Sequence, residues 1–265
     1  MLLDARPSER LDDTASGWTR TPGRQAARKA EAKKPVCIVL HQEHSNPGHV
    51  GQWFARNGHA LDIRKPRFGC RVPETLAEHC GVVIFGGPMS ANDKDEFIRQ
   101  EIGLIDVALR EEKPYLGLCL GAQMLNLHLG GKVGFHPEEM VEIGYYPLSA
   151  TEHGQRLGPW PGHVYEWHRE GCELPSDARL LATSDGAFPV QAFSYGPAAF
   201  GFQFHPEITY AQVHRWTGHN PQRLTLKGAR ERGDHIAGHM VHGPRVHTWL
   251  DGFLNRWVRA DLTID

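Results

Sequence analysis

No apolar run in this chain approaches the roughly 20 residues that a bilayer-spanning helix needs, so no membrane partner is expected. Cysteine is scarce. The five present (Cys37, Cys70, Cys80, Cys119 and Cys172) are odd in number, widely spaced, and form no C-x-x-C pair. That pattern argues against a disulfide framework and a zinc ribbon, and it fits a reducing compartment, so a cytoplasmic location is expected. Charge of one sign is also lacking: 29 Lys and Arg face 31 Asp and Glu, a formal net charge of -2. Such a balance does not suggest a polyanion, and nucleic acid is not an expected partner. Neither G-x-x-x-x-G-K-[ST] nor G-x-G-x-x-G occurs, which weakens any phosphate-loop reading.

Large apolar residues are few in one region in particular. After Leu2 and Leu3, residues 1–34 are rich in Arg, Asp, Ser, Thr and Ala. A segment this polar cannot bury enough surface to offset its ordering entropy, and a disordered N-terminal tail is expected. Its start has neither the basic region nor the apolar stretch of a secretory signal. Asp4, Glu9, Asp12 and Asp13 speak against a transit peptide.

The remainder, 35–265, reads as one α/β domain. The chain is 40% hydrophobic, enough for a sizeable core. Continuous apolar runs at Val36–Leu40, Gly81–Phe85 and Pro114–Leu118 have the look of strands buried on both faces. Ala60–Ile63 is a shorter strand candidate. Helical spacing covers Gly48–Arg56, Glu96–Arg110 and Ala122–Leu129, and Pro73–His79 reads as a short helix with proline in its first turn. Strands alternating with helices predict a three-layer fold, a mostly parallel central sheet flanked by helices. Beyond residue 140 the pattern changes to Val141–Ser149, Val164–His168, Leu180–Thr183, Val190–Tyr195 and Ala199–His205, which predicts a smaller, partly antiparallel sheet. Helical character returns at Ile208–Thr217 and Gln222–Val258, with a break expected near Gly243-Pro244.

Against this background one segment carries chemistry. Gly117-Leu-Cys119-Leu-Gly121 places a cysteine between two glycines where a strand meets a helix. That is the setting of a nucleophile elbow, whose tight turn leaves no room for side chains at the flanking glycines. A helix N-terminus also favours thiolate over thiol. A buried structural cysteine is the alternative. Such a nucleophile needs a base, an orienter for the base, and donors for an oxyanion. His205-Pro-Glu207 offers the first two: in extended chain, residues two apart point to the same side, so the carboxylate would fix the imidazole. The second glycine pair, Gly86-Gly87, follows a buried strand where a parallel sheet presents its sites. Gly87 N–H and Leu120 N–H are the candidate oxyanion donors.

Gly-Gly-Pro-Met-Ser at 86–90, Gly-Leu-Cys-Leu-Gly-Ala-Gln at 117–123 and Gln-Phe-His-Pro-Glu at 203–207 together resemble the class I (triad-type) glutamine amidotransferase family, in order and in spacing. The likeness spans roughly 36–209, and the glutaminase domain of guanosine monophosphate synthetase has a similar pattern. The resemblance implies that Cys119 attacks the side-chain amide of glutamine, with His205 and Glu207 completing the triad. It implies glutamate and ammonia as products, no metal and no cofactor. Gly86, Gln123, Gly144, Tyr145 and Tyr146 match substrate-binding positions of the family, and Trp167-His168 matches an element on the acceptor side.

The chain has no recognisable acceptor domain, so the resemblance implies a possible ammonia-accepting partner in the form of a separate synthetase subunit. The same thiol chemistry also suits a γ-glutamyl hydrolase or peptidase, and the substrate stays open as glutamine or another γ-glutamyl small molecule. A non-catalytic binding or regulatory homologue is a third possibility, against which the complete Cys119, His205 and Glu207 set speaks. His235, His239 and His242 share one helix face, but no carboxylate cluster accompanies them, and no metal site is expected. Trp249 and Trp257 read as packing anchors.

Overall fold

In this computed structural model, residues 32–262 are described; most of the N-terminal segment expected to be disordered lies outside them. Chain order is β1 (Lys33–Val39), α1 (Gly48–Arg56), β2 (His59–Arg64), β3 (Val82–Ile84), α2 (Glu96–Arg110), β4 (Tyr115–Leu118), α3 (Leu120–His128), β5 (Lys132–Phe135), β6 (Glu142–Pro147), β7 (Ser149–Ala150), α4 (Glu152–Gln155), β8 (His163–His168), β9 (Glu170–Glu173), β10 (Arg179–Thr183), β11 (Val190–Tyr195), β12 (Ala199–Phe202), α5 (Tyr210–His219) and α6 (Arg232–Trp257). Lys33 and Lys34, grouped with the tail by composition, begin β1.

Eight strands form one sheet in the order β2-β1-β3-β4-β12-β11-β10-β7. The first five run parallel, and β11, β10 and β7 add an antiparallel edge. The apolar runs of β1, β3 and β4 are continuous because these inner parallel strands are covered on both faces, whereas β2 at the edge is partly exposed. In β1, Val36 and Ile38 enter one core with Trp53 and Phe54 of α1 and with Val246, Leu250, Leu254 and Trp257 of α6. Cys37 and Val39 alternate into the other, against Ile98, Leu104 and Ile105 of α2 and Met124 and Leu125 of α3. Two antiparallel ribbons, β5-β9 and β6-β8, lie outside the main sheet.

Three expectations need correction. Pro73–His79 is not a helix but a series of turns: it carries one core side chain, Leu76, whose backbone N–H donates to Glu111 Oε2 at 2.8 Å instead of entering a helical ladder. Helix α6 is not broken at Gly243-Pro244 but runs through it. An interior proline costs about 3 kcal/mol. That cost is outweighed because Val246, Leu250, Phe253, Leu254 and Trp257 beyond it are all buried, each worth roughly 1.5–3 kcal/mol for the apolar types. The stretch ahead of α6 is a separate 3₁₀ segment at Pro221–Thr225 and loop. Finally, β12 stops at Phe202, and Pro206 and Glu207 lie in a turn rather than in extended chain.

Candidate active site

Strands β1, β3, β4 and β12 are parallel, so their C-terminal ends reach one edge of the sheet, where α/β folds place their sites. A cavity opens there, walled by Leu40, Gly86, Gly87, Cys119, His205 and Glu207, among others. Cys119 sits at φ 50° and ψ −101°, a conformation a side-chain-bearing residue rarely adopts. Two backbone bonds hold it: Cys119 N–H donates to Phe202 O at 2.7 Å, and Gln123 N–H donates to Cys119 O at 3.0 Å. The flanking glycines are required sterically. A Cβ on Gly117 would lie 2.4 Å from the Gly121 carbonyl carbon, and one on Gly121 would lie 2.2 Å from Ile84 O.

Gln203 Nε2 lies 3.7 Å from the Cys119 sulfur, and His205 lines the same cavity as Cys119. His205 is pinned by its own backbone N–H, which donates to Tyr165 O of β8 at 2.8 Å. Its Nδ1–H donates to Glu207 Oε1 at 2.8 Å, with both side chains buried. The turn at 206–207 delivers the carboxylate to the ring, and Glu207 O accepts from His49 N–H at the start of α1 at 2.8 Å. Burial alone would lower the imidazole pKa, but the Glu207 carboxylate and the Cys119 sulfur outweigh it and hold His205 well above the usual histidine range. Cys119, His205 and Glu207 are therefore brought together.

The other positions expected in the site fall in several places. Gly86 and Gly87 line the cavity, and Leu120 opens α3, where first-turn N–H groups have no intrahelical partner. Gln123 is buried and does not line the cavity; its Nε2 donates to Glu170 O at 2.9 Å and to Gln203 Oε1 at 3.3 Å. Its side chain connects to the Cys119 sulfur through Gln203. Gly144, Tyr145 and Tyr146 lie on β6, outside the cavity lining. Tyr145 Oη pairs with His239 Nδ1 at 2.8 Å, and Tyr146 Oη donates to Gly228 O. Trp167 of the neighbouring β8 does line the cavity, whereas His168 points into a buried cluster.

Several residues of the site carried no sequence signal. His41, read from sequence as a loop residue, is fully buried. Its imidazole bridges Gly86 O at 3.1 Å and Glu101 Oε2 at 2.7 Å. A trans peptide is planar with C=O and N–H opposed, so the contact to Gly86 O turns the Gly87 N–H away from His41. Arg215 and Trp216 of α5, with Arg223 of the 3₁₀ segment, form the outer wall. Gln203 had one signal available, its position two residues before His205 at the end of a strand.

Beside the site, on β6-β8, His168 Nε2 sits 3.2 Å from Glu142 Oε2 and 3.1 Å from Glu166 Oε2, all three buried. Burial works against the imidazolium, yet the two carboxylates raise His168 from about 6.5 to about 10. A histidine raised on folding stabilises fully below about pH 6.5, and the contribution is lost as pH climbs through about 10. Urea midpoints are therefore expected to fall between pH 7 and pH 10, and to fall less in His168→Gln; parallel pH profiles for the two proteins would count against this origin. The expected histidine face of α6 is engaged with aromatic partners: His235 Nδ1 with Tyr165 Oη at 3.0 Å, His239 with Tyr145, and His242 stacked on His163 at 4.3 Å.

The model of the glutamine amidotransferase class-I family matches residues 50–220. The chain belongs to this family. It is 32% identical over 200 residues to the glutamine amidotransferase-like protein YfeJ of Salmonella typhimurium, covering 71% of this chain and 82% of the relative. It is 28% identical to a subunit of the glutamine-hydrolyzing GMP synthase of Methanoregula boonei, over 66% of this chain and 90% of that one. Among solved structures, a glutamine amidotransferase from Methylobacillus flagellatus superposes with a TM-score of 0.80 at 25% identity, over 86% of this chain and 95% of that one. One from Thermotoga maritima gives 0.77 at 28% identity, over 86% and 99%. The mixed sheet and its helical layers are thus those of a class-I amidotransferase. Among the described residues no helix is long and apolar enough to cross a membrane.

Proposed function

We propose that this amidotransferase hydrolyses the side-chain amide of glutamine through a γ-glutamyl thioester on Cys119. The observation that carries the reading is the strained cysteine at an elbow that shares its cavity with an imidazole backed by a buried carboxylate. In the first step His205 takes the proton of the Cys119 thiol, the sulfur attacks the amide carbon, and the negative charge moves to the carbonyl oxygen. Gly87 N–H and Leu120 N–H are the donors for that oxyanion. His205, kept protonated by Glu207, gives its proton to the leaving nitrogen, the C–N bond breaks, and ammonia departs. His205 then takes a proton from water, which attacks the thioester and releases glutamate and the thiol. Gln203, whose Nε2 lies beside the sulfur, restrains it while the histidine exchanges protons. Gly86, Gln123, Gly144, Tyr145 and Tyr146 remain proposed contacts or supports for the amino acid end of the substrate.

The likeness to a GMP synthase subunit supports a separate protein as the receiver of ammonia. Size-exclusion or pull-down experiments with a candidate synthetase, with glutamine turnover as readout, test that link; the expected result is faster turnover in the complex. The covalent step is tested by mass spectrometry. A glutamine-mimicking electrophile is expected to add one γ-glutamyl-sized mass on Cys119 and none in Cys119→Ser.

His41 and Glu101 act on this chemistry by positioning. By holding Gly86 O they aim the Gly87 N–H, so loosening them should weaken the oxyanion site without removing a substrate contact. Glu101→Gln is expected to lower kcat about 10-fold, less than the ~10²–10³ lost when an oxyanion donor is deleted, with KM nearly unchanged. A rise in KM at constant kcat would place the pair in substrate binding instead.

A further inference from the structure

The outer wall of the cavity carries more positive charge than the hydrolysis of glutamine needs. Arg215 and Arg223 both line it, and the one carboxylate among the lining residues, Glu207, is committed to His205. Arg215 donates Nη1–H to His44 O at 2.9 Å, which among the described residues leaves most of its five donors free. Arg223 is half-buried, and its guanidinium has neither a hydrogen bond nor an ion pair among the described residues. The charges acting on it are the like charge of Arg169, which is stacked over Phe135 at 5.3 Å, and the sulfur of Cys119. Burial and Arg169 lower its pKa, and the Cys119 sulfur acts in the opposite sense.

An unpaired, half-buried guanidinium lining the cavity of a reactive cysteine is matched by an anion on the ligand. A planar fork of donors suits a carboxylate in particular. Glutamine brings one carboxylate and one ammonium, a neutral head that calls for one cation and one acceptor. Two guanidinium groups and no free carboxylate call for a ligand with one carboxylate more. The acyl part must be γ-glutamyl for the thioester chemistry above, so the additional carboxylate belongs to the leaving amine.

We infer that the site accepts γ-glutamyl peptides, amides of the γ-carboxyl whose leaving amine is an amino acid, and that Arg223, seconded by Arg215, reads the leaving group's carboxylate. The inference rests on the thioester reading of the site and changes only what leaves. Sulfur attacks the γ-carbonyl carbon, the C–N bond breaks, His205 protonates the departing α-amine, and water then cleaves the thioester to give glutamate. Atoms balance with water as the sole co-reactant.

Three substrates separate the sources of the carboxylate. Glutamine and γ-glutamylmethylamide carry only the α-carboxylate of the glutamyl part; γ-glutamylglycine adds one on the leaving amine. For the wild-type chain, kcat/KM is expected to favour γ-glutamylglycine over the methylamide by at least 10-fold. In Arg223→Gln that ratio is expected to collapse to within about twofold of unity, and Arg223→Lys to restore part of it. The inference is overturned if the wild-type ratio is near one, or if Arg223→Gln lowers all three substrates equally, since the arginine would then read the α-carboxylate that all share. Absence of Cys119-dependent release from every one of the three would overturn the thioester reading itself, and this inference with it. Release without charge preference removes only the inference.

Discussion

Cys119→Ala is expected to abolish the release of ammonia from glutamine, and of amine from any γ-glutamyl amide, by at least roughly 10³-fold. Among the described residues no second thiol lines the cavity. Cys172 is buried close by, and burial together with the charge at Cys119 drives its thiol well above the ordinary range, so it stays protonated and inert. Truncating the side chain to alanine removes only the sulfur from a residue already in a strained conformation, so the fold should persist. Far-ultraviolet circular dichroism and the urea midpoint check that. Measured ammonia release by a coupled glutamate assay decides the rest. Full activity in the alanine variant would falsify the thioester mechanism. A variant that binds substrate with unchanged affinity but turns nothing over is the expected result.

The second large effect is structural, and it comes from an atom that is absent. Gly121→Ala would place a methyl group 2.2 Å from Ile84 O, a backbone atom of β3 in the middle of the parallel sheet. A flexible side chain could move aside; a strand paired on both edges cannot. Either α3 lifts from the sheet or the elbow deforms, and both displace Cys119. A loss of about 3 kcal/mol or more is expected for overpacking against backbone, which lowers Tm by roughly 6–12 °C for a domain of this size. Activity should fall along with stability. Gly103→Ala is the matched control. That glycine is exposed inside α2 with nothing within 4 Å of an added methyl, so alanine there is expected to be neutral or to stabilise by up to about 1 kcal/mol. Differential scanning fluorimetry of the two variants distinguishes a steric requirement from a general effect of replacing helical glycines.

Much of the parallel half of the fold was legible because its signals are local. Gly48–Arg56 and Glu96–Arg110 are helices over the residues their apolar spacing marks, and the uninterrupted runs around Ile38, Val83 and Leu116 are strands buried on both faces. The less legible parts fail for identifiable reasons. Ribbon β5-β9 has exposed or half-buried residues on one strand, so no apolar pattern announces it. Continuity of α6 through Pro244 depends on the burial of side chains that follow the proline. His205 and Glu207 do meet, but through a turn, not through the alternation of an extended strand. The proline between them biases the residue before it toward extended geometry without dictating the conformation after it.

What the amino-acid order determined by itself is the reactive unit: a cysteine forced into a positive-φ turn by glycines two residues to either side. The requirement at Gly117 is steric and local, against the backbone of Gly121, so it is written in consecutive letters, and the glycine at 121 stands in the same short motif although the atom it must clear, Ile84 O, belongs to β3. Tertiary structure alone decided what surrounds it. Glu101 hydrogen bonds His41 from 60 residues away, and His41 in turn holds Gly86 O; Arg223 of the 3₁₀ segment lines the same cavity as Cys119. Those pairings depend on the order of strands in the sheet and on which helix covers which edge. They are properties of the packed chain, and no periodicity within any one segment encodes them.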